Sequence, residues 1–209
     1  MSTSIDNRHF LLRRVHSLTG VVPVGAFLIF HLWENSQARF GAAHYNEAVV
    51  GFLQGMNYLW ALEIFVIALP LGFHAIYGMA ILHTGRTDLR LPWLHNRTYW
   101  LQRISGAGTL LFLLLHVGGT RIWGMFEPAI KQDLFGHLHT QLSSPPILAA
   151  YVIGLLLAVF HLANGLWSFA IVWGITTTPR AQRLSFIFCM GLGTLLAALG
   201  LHGLWGFVA

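Results

Sequence analysis

Residues 146–175 read PILAAYVIGLLLAVFHLANGLWSFAIVWGI, a run with no Asp, Glu, Lys or Arg in it. At 1.5 Å per helical residue a run of this length crosses the roughly 30 Å hydrocarbon core of a bilayer. Four further apolar runs lie on either side, at about 17–33, 58–83, 103–125 and 184–207. Turn signals and most of the charges fall between them, as in Gly85-Arg86-Thr87-Asp88 and Ser143-Ser144-Pro145-Pro146. Inside hydrocarbon every backbone polar group must find its partner within its own segment, so the runs are helices rather than strands. The expected fold is therefore all-α, with residues 1–209 as a single transmembrane domain. It is an integral membrane bundle of five helices. Pro23 and Pro70 fall inside runs and are expected to kink them.

Composition agrees. The chain is 56% hydrophobic and 9% charged, too little charge to cover the surface of a water-soluble domain of this size. Eight Trp, many near the ends of apolar runs, suit an interfacial belt. The net charge of +5 could suggest nucleic acid, but in so apolar a chain it reports membrane orientation, and no nucleic-acid partner is expected. Arg8, Arg13, Arg14, Arg86, Arg90, Arg97, Arg103, Arg180 and Arg183 fall on one side of the bundle; Arg39, Arg121 and Lys131 fall on the other. The positive-inside rule then puts the N-terminus inside and the C-terminus outside. No small-residue cleavage site follows the first run, which reads as a retained helix. A short echo links the starts of the first and third runs, Arg14-Val-His-Ser-Leu-Thr-Gly and Arg103-Ile-Ser-Gly.

A single cysteine, Cys189, excludes an intramolecular disulfide, a cysteine-ligated iron–sulfur cluster and covalent haem attachment. Any redox group must be held by other ligands, and the chain offers twelve His. Four of these lie deep in apolar runs: His31, His74, His116 and His161. His31 and His116 sit on outward-running helices, roughly 16–21 Å from the inner face. His74 and His161 sit on inward-running helices, roughly 22–24 Å from the outer face. Two pairs result, an outer and an inner one, each joining alternate helices. Bis-histidine haem needs this arrangement, one imidazole on each side of the iron and apolar space for the ring. Gly78 and Gly165, four residues after His74 and His161, put a bare backbone on each ligand's own face, where a flat ring could lie. Packing would explain one such histidine, but it explains four in two depth-matched pairs poorly. A different metal site would gather its ligands at one depth.

Weaker candidates follow from place. His16, Ser17, Trp100 and Arg103 lie at the inner ends of helices, where haem propionates would want donors. Plain anchoring of helix ends explains the arginines equally well. Glu63 is the carboxylate set well inside a run, near the level of the outer pair, and is a candidate proton acceptor or quinone contact; a helix-end residue reached by water is the alternative. His9, His44, His83, His95, His137, His139 and His202 fall in loops or at helix ends, where solvation is the default.

The pieces RRVHSLTGVVPVGAFLIFHL (13–32), ALEIFVIALPLGFHAIYG (61–78), LQRISGAGTLLFLLLHVGGTR (101–121) and FHLANGLWSFAIVWGITTTPRAQR (160–183) resemble the cytochrome b membrane anchor of succinate:quinone oxidoreductase. The likeness is to the single-chain, five-helix, two-haem type of bacterial succinate dehydrogenases, and it covers essentially the whole chain. It implies two haem b groups and a multi-pass protein of the bacterial cytoplasmic (inner) membrane. It also implies two partners, a flavoprotein subunit that oxidises succinate and an iron–sulfur subunit that feeds electrons to the anchor from inside. The haem between His74 and His161 would then be proximal, and that between His31 and His116 distal, with a quinone, commonly menaquinone, reduced near the latter. The anchor itself carries no succinate site. Some related fumarate reductases have a glutamate two residues before the fourth ligand; Val159 stands there here, which favours succinate oxidation. Two alternatives remain at this stage. One is a di-haem cytochrome b serving a hydrogenase or formate dehydrogenase, the other a proton-coupled transporter using membrane histidines, against which the lack of an evident inverted repeat counts.

Overall fold

The computed structural model describes residues 2–84 and 94–209, with side chains from residue 8 onward. The expected turn at Gly85–Asp88, with Arg86 and Arg90, lies outside the described residues. Among the described residues all regular structure is helical. Five helices are long and apolar enough to cross a membrane: α1 (Arg8–Phe40), α2 (Leu59–Thr84), α3 (Leu94–Phe126), α4 (Pro145–Val172) and α5 (Pro179–Val208). Their outer faces carry exposed Phe65, Ile76, Ile153, Phe188 and Leu195. So much bare apolar surface is untenable in water and natural against lipid tails.

Local chemistry sets the helix ends. α4 begins on Pro145 and Pro146, whose missing N–H groups cost nothing in a first turn. It stops before Gly174, which takes φ +71. There the Ile175 amide bonds the Ala170 carbonyl at 2.9 Å and the Gly174 amide the Ile171 carbonyl at 3.0 Å. This is a Schellman closure, and it ends the helix short of residue 175, where hydropathy alone would run it on. α5 starts at Pro179, with the Thr178 hydroxyl accepting from the Ala181 amide at 3.2 Å.

The two internal prolines act differently. At Pro23 the helix is interrupted at Val22, between Ser2–Val21 and Pro23–Ser36. Ahead of Pro70 the chain instead winds as a π-helix over Leu62–Ala68, so the proline is absorbed as a widened turn.

α4 packs along α3 and α5, and α1 along α2 and α5; the start of α1 also meets α4, whereas α2 and α3 touch little. α1 to α4 thus surround a shared space, with α5 closing the α1–α4 side. One apolar core lies on that side, where Leu32, Leu155, Val159, Leu162 and Leu196 pack together. Val159 therefore belongs to the α4–α5 seam. A second core sits at the end opposite the arginine-rich one, where the α1–α2 and α3–α4 connections form a cap around Tyr45, Val49, Leu138, Leu142, Tyr151 and Phe207. Asn46 ties the two connections by donating to Asp133 at 2.8 Å and accepting from the Phe135 amide at 3.2 Å. The Gly136 amide and the Asn46 amide hold the Asp133 carboxyl below its ordinary range.

Candidate functional site

The space between α1 and α4 is one continuous cavity of about 2350 Å³, well above the roughly 300–1,000 Å³ of an ordinary small-molecule site. Its wall is overwhelmingly apolar, and all four deep histidines stand in it.

At the arginine-rich end, His74 of α2 faces His161 of α4, with ring centres 6.0 Å apart and planes at 83°. Two imidazoles that share one metal at about 2 Å each would place their ring centres roughly 6 Å apart. His74 Nδ1 lies 2.9 Å from the His16 carbonyl, and His161 Nδ1 lies 3.1 Å from the Gln102 carbonyl. A proton on each Nδ1 satisfies those carbonyls and leaves each Nε2 with a lone pair for a metal. Ser105 Oγ, 3.3 Å from His161 Nδ1, reinforces the second contact.

The carbonyls are reachable because glycine stands four residues on. A Cβ on Gly20 would lie 2.3 Å from His74 Cε1, and one on Gly106 would lie 2.8 Å from His161 Cε1. The sequence echo between the starts of α1 and α3 thus has a physical content: each presents a carbonyl and, one turn later, a bare backbone to a ligand imidazole. Gly78 and Gly165 line the cavity, as expected of them, and do something further. Their missing side chains make room for His16 and Gln102, each 3.2 Å from a hypothetical Cβ. Gln102 also donates to the His161 carbonyl at 3.0 Å and accepts from the buried Asn164 amide at 2.7 Å, which fixes α3 against α4. Such interhelical bonds contribute on the order of 0.6–2 kcal/mol each inside a membrane.

At the other end, His31 of α1 faces His116 of α3, with ring centres 5.7 Å apart and planes at 68°. Phe27 stacks on His31 at 5.2 Å and Phe112 on His116 at 5.5 Å, each one turn before its histidine. The Asn35 amide nitrogen lies 3.4 Å from His31 Nδ1 and 3.3 Å from Nε2, over the ring rather than in line with either nitrogen. Tyr45 donates to the Asn35 oxygen at 3.1 Å. His116 Nδ1 is 3.3 Å from the Tyr151 hydroxyl, which donates to Gln141 at 3.5 Å; Gln141 in turn donates to the Gly119 carbonyl at 3.1 Å. The acceptor role of Tyr151 toward His116 follows from its donating to Gln141.

The four histidines, the spacing within each pair, the satisfied Nδ1 atoms of His74, His161 and His116, and the apolar volume fit two haems. Among the described residues no group of three or more His, Cys, Asp or Glu gathers around one point, as a clustered metal site would require.

Of the expected propionate donors, His16, Ser17 and Arg103 line the arginine-rich end of the cavity. The His16 ring lies flat on His74, 4.0 Å away at 8°. Ser17 accepts from Trp173 Nε1 at 3.1 Å. The Arg103 guanidinium donates to the Leu82 carbonyl and covers Tyr99. Trp100 is not with them: it is exposed on the outer face of α3, between the wall residues Tyr99 and Gln102. A rotation of 100° per residue carries it toward lipid. Glu63 lines the opposite end and is paired with Arg121 at 2.6 Å. Glu34, Asn35, Gln102 and Tyr151 escaped the sequence reading. Glu34, Asn35 and Gln102, polar groups beside apolar runs, carry a signal that could find them; Tyr151 carries none.

Residues 82–200 match the family of succinate dehydrogenase/fumarate reductase transmembrane subunits. Over 203 residues the chain is 42% identical to the succinate dehydrogenase cytochrome b558 subunit of Bacillus subtilis (strain 168), an alignment spanning 97% of this chain and 98% of that protein.

Proposed function

The chain belongs to the succinate dehydrogenase/fumarate reductase transmembrane-subunit family, and on that premise we propose that it carries electrons through two b-type haems to a membrane quinone. It is a membrane-spanning cytochrome b subunit of succinate dehydrogenase. The facing imidazoles, 6.0 Å and 5.7 Å apart in one apolar cavity, carry the two-haem reading. His74 and His161 hold the haem at the arginine-rich end. His31 and His116 hold the other. His16, Ser17 and Arg103 are the donors available to propionates at the first.

The arginine-rich end faces the cytoplasm of a bacterial cell, by the positive-inside rule, and receives the iron–sulfur and flavoprotein subunits. Held by these residues, haem would supply one-electron transfer across the bilayer, and two imidazoles on each iron would leave no position for oxygen. Quinone, of the menaquinone class, is reduced at the remote end, where Glu63 and Arg121 line the cavity and contact it. Val159, packed in the α4–α5 seam, provides no carboxylate beside the inner haem, in keeping with succinate oxidation. The test is purification of the native complex. Succinate should reduce the haem in the absence of any dye, and added menaquinone analogue should reoxidise it. Haem that only dithionite reduces would overturn the reading.

A further inference from the structure

Glu34 stands one turn beyond His31 in the wall of the same cavity and is only 6% exposed. Among the described residues its carboxylate makes no hydrogen bond and no ion pair, whereas that of Glu63 is committed to Arg121. A buried carboxylate without a partner is costly, by several kcal/mol when charged. Buried polar groups held for structure alone are nearly always satisfied. Tyr45 is close enough that the Glu34 charge, after burial, raises its phenol above the ordinary value. Its hydroxyl nevertheless donates to Asn35. One turn on from Glu34, Gln37 lines the cavity too, and its Oε1 lies 3.3 Å from Nε2 of the exposed His44. Glu34, Gln37 and His44 make a polar stripe from water to the side of the outer histidine pair.

We propose that Glu34 is the proton-exchanging residue for quinone at this end of the cavity, with Gln37 and His44 as its connection to water. The proposal rests on the reading of this end as the quinone-reducing one. Conversion of quinone to quinol takes two electrons, those the complex removes from succinate, and two protons, one on each carbonyl oxygen. Glu34 as a neutral acid gives its proton to the nearer oxygen, and its carboxylate is reprotonated from water by way of His44 and Gln37. The second oxygen takes its proton from water at the cavity mouth.

The test uses Glu34→Gln in the complete complex. Haem content and succinate–dye activity should stay at wild-type levels. Succinate–quinone turnover should fall at least about tenfold, the lower side of what a positioned acid supplies. A protonated-carboxyl band in the redox-induced infrared difference spectrum should vanish. Gln37→Leu should keep that band and slow turnover less. Glu34→Gln with turnover near wild type and the band unchanged would overturn the proposal while leaving haem reduction by succinate, and so the function, intact. A wild-type complex whose haem succinate reduces but quinone never reoxidises would overturn the underlying reading instead. Should the glutamine variant lose haem, Glu34→Asp decides: the band must shift, and an unmoved band rejects Glu34.

Discussion

Behind His74 and His161 stand backbone carbonyls and two glycines; behind His31 and His116 stand an asparagine, a tyrosine and two phenylalanines. Facing imidazoles stand at both ends, but their support differs in kind. A carbonyl of a helix backbone cannot rotate away or be replaced by a point mutation, so the inner imidazoles are fixed in tautomer and direction. The outer pair is held by side chains, which connect through Tyr151, Gln141 and Asn35 to the cap. In the proposed function the rigid end is the one through which electrons enter, and the adjustable end is the one where a mobile substrate is accommodated and protons move.

Removing ligands breaks this comparison most sharply. His161→Leu should remove the inner haem and with it succinate-driven reduction of whatever haem remains. His31→Leu should cost only the outer haem and leave the inner one reducible by succinate. Optical spectra after succinate and then dithionite separate the two outcomes. Next in size is Gly106→Ala. Its methyl would sit 2.8 Å from the His161 ring, an overpacking that costs roughly 1–3 kcal/mol, so the inner signal should weaken or broaden in redox titration while the outer one holds. Tyr151→Phe acts on the other end and more gently. Without an acceptor for Nδ1–H, His116 becomes a weaker donor to ferric iron, and the outer haem potential should rise by roughly 20–60 mV, one net hydrogen bond's worth. The inner potential should not move. Smallest is Glu63→Gln, which leaves both haem spectra intact and should slow quinone turnover only a fewfold; loss of haem would show that the Arg121 pair is structural.

How much of this was legible beforehand varies with the kind of physics involved. The five spans follow from transfer free energy summed over long windows, a signal that no local detail reverses. The places where helices stop depend on single residues such as Gly174 and Thr178, which hydropathy averages away. The four deep histidines could be paired because depth in a helix is arithmetic on residue number. What stands behind each ligand could not be read, because it depends on which helix is next to which and on rotation about the helix axis. That is why the room that Gly78 and Gly165 leave for His16 and Gln102, and the outward rotation of Trp100, are not legible in the sequence. Glu34 was passed over for a similar reason. At the end of a run it looks like an interfacial residue, and only the cap folded over it makes it buried.

The central claim is two haems on two histidine pairs, and counting haem per chain in the natively expressed protein tests it most directly. Two low-spin b-type haems per chain are expected in the wild type, one in His31→Leu, and an inner-haem loss in His161→Leu. A wild-type protein with one haem or none, or a His31→Leu variant that keeps both, would contradict it.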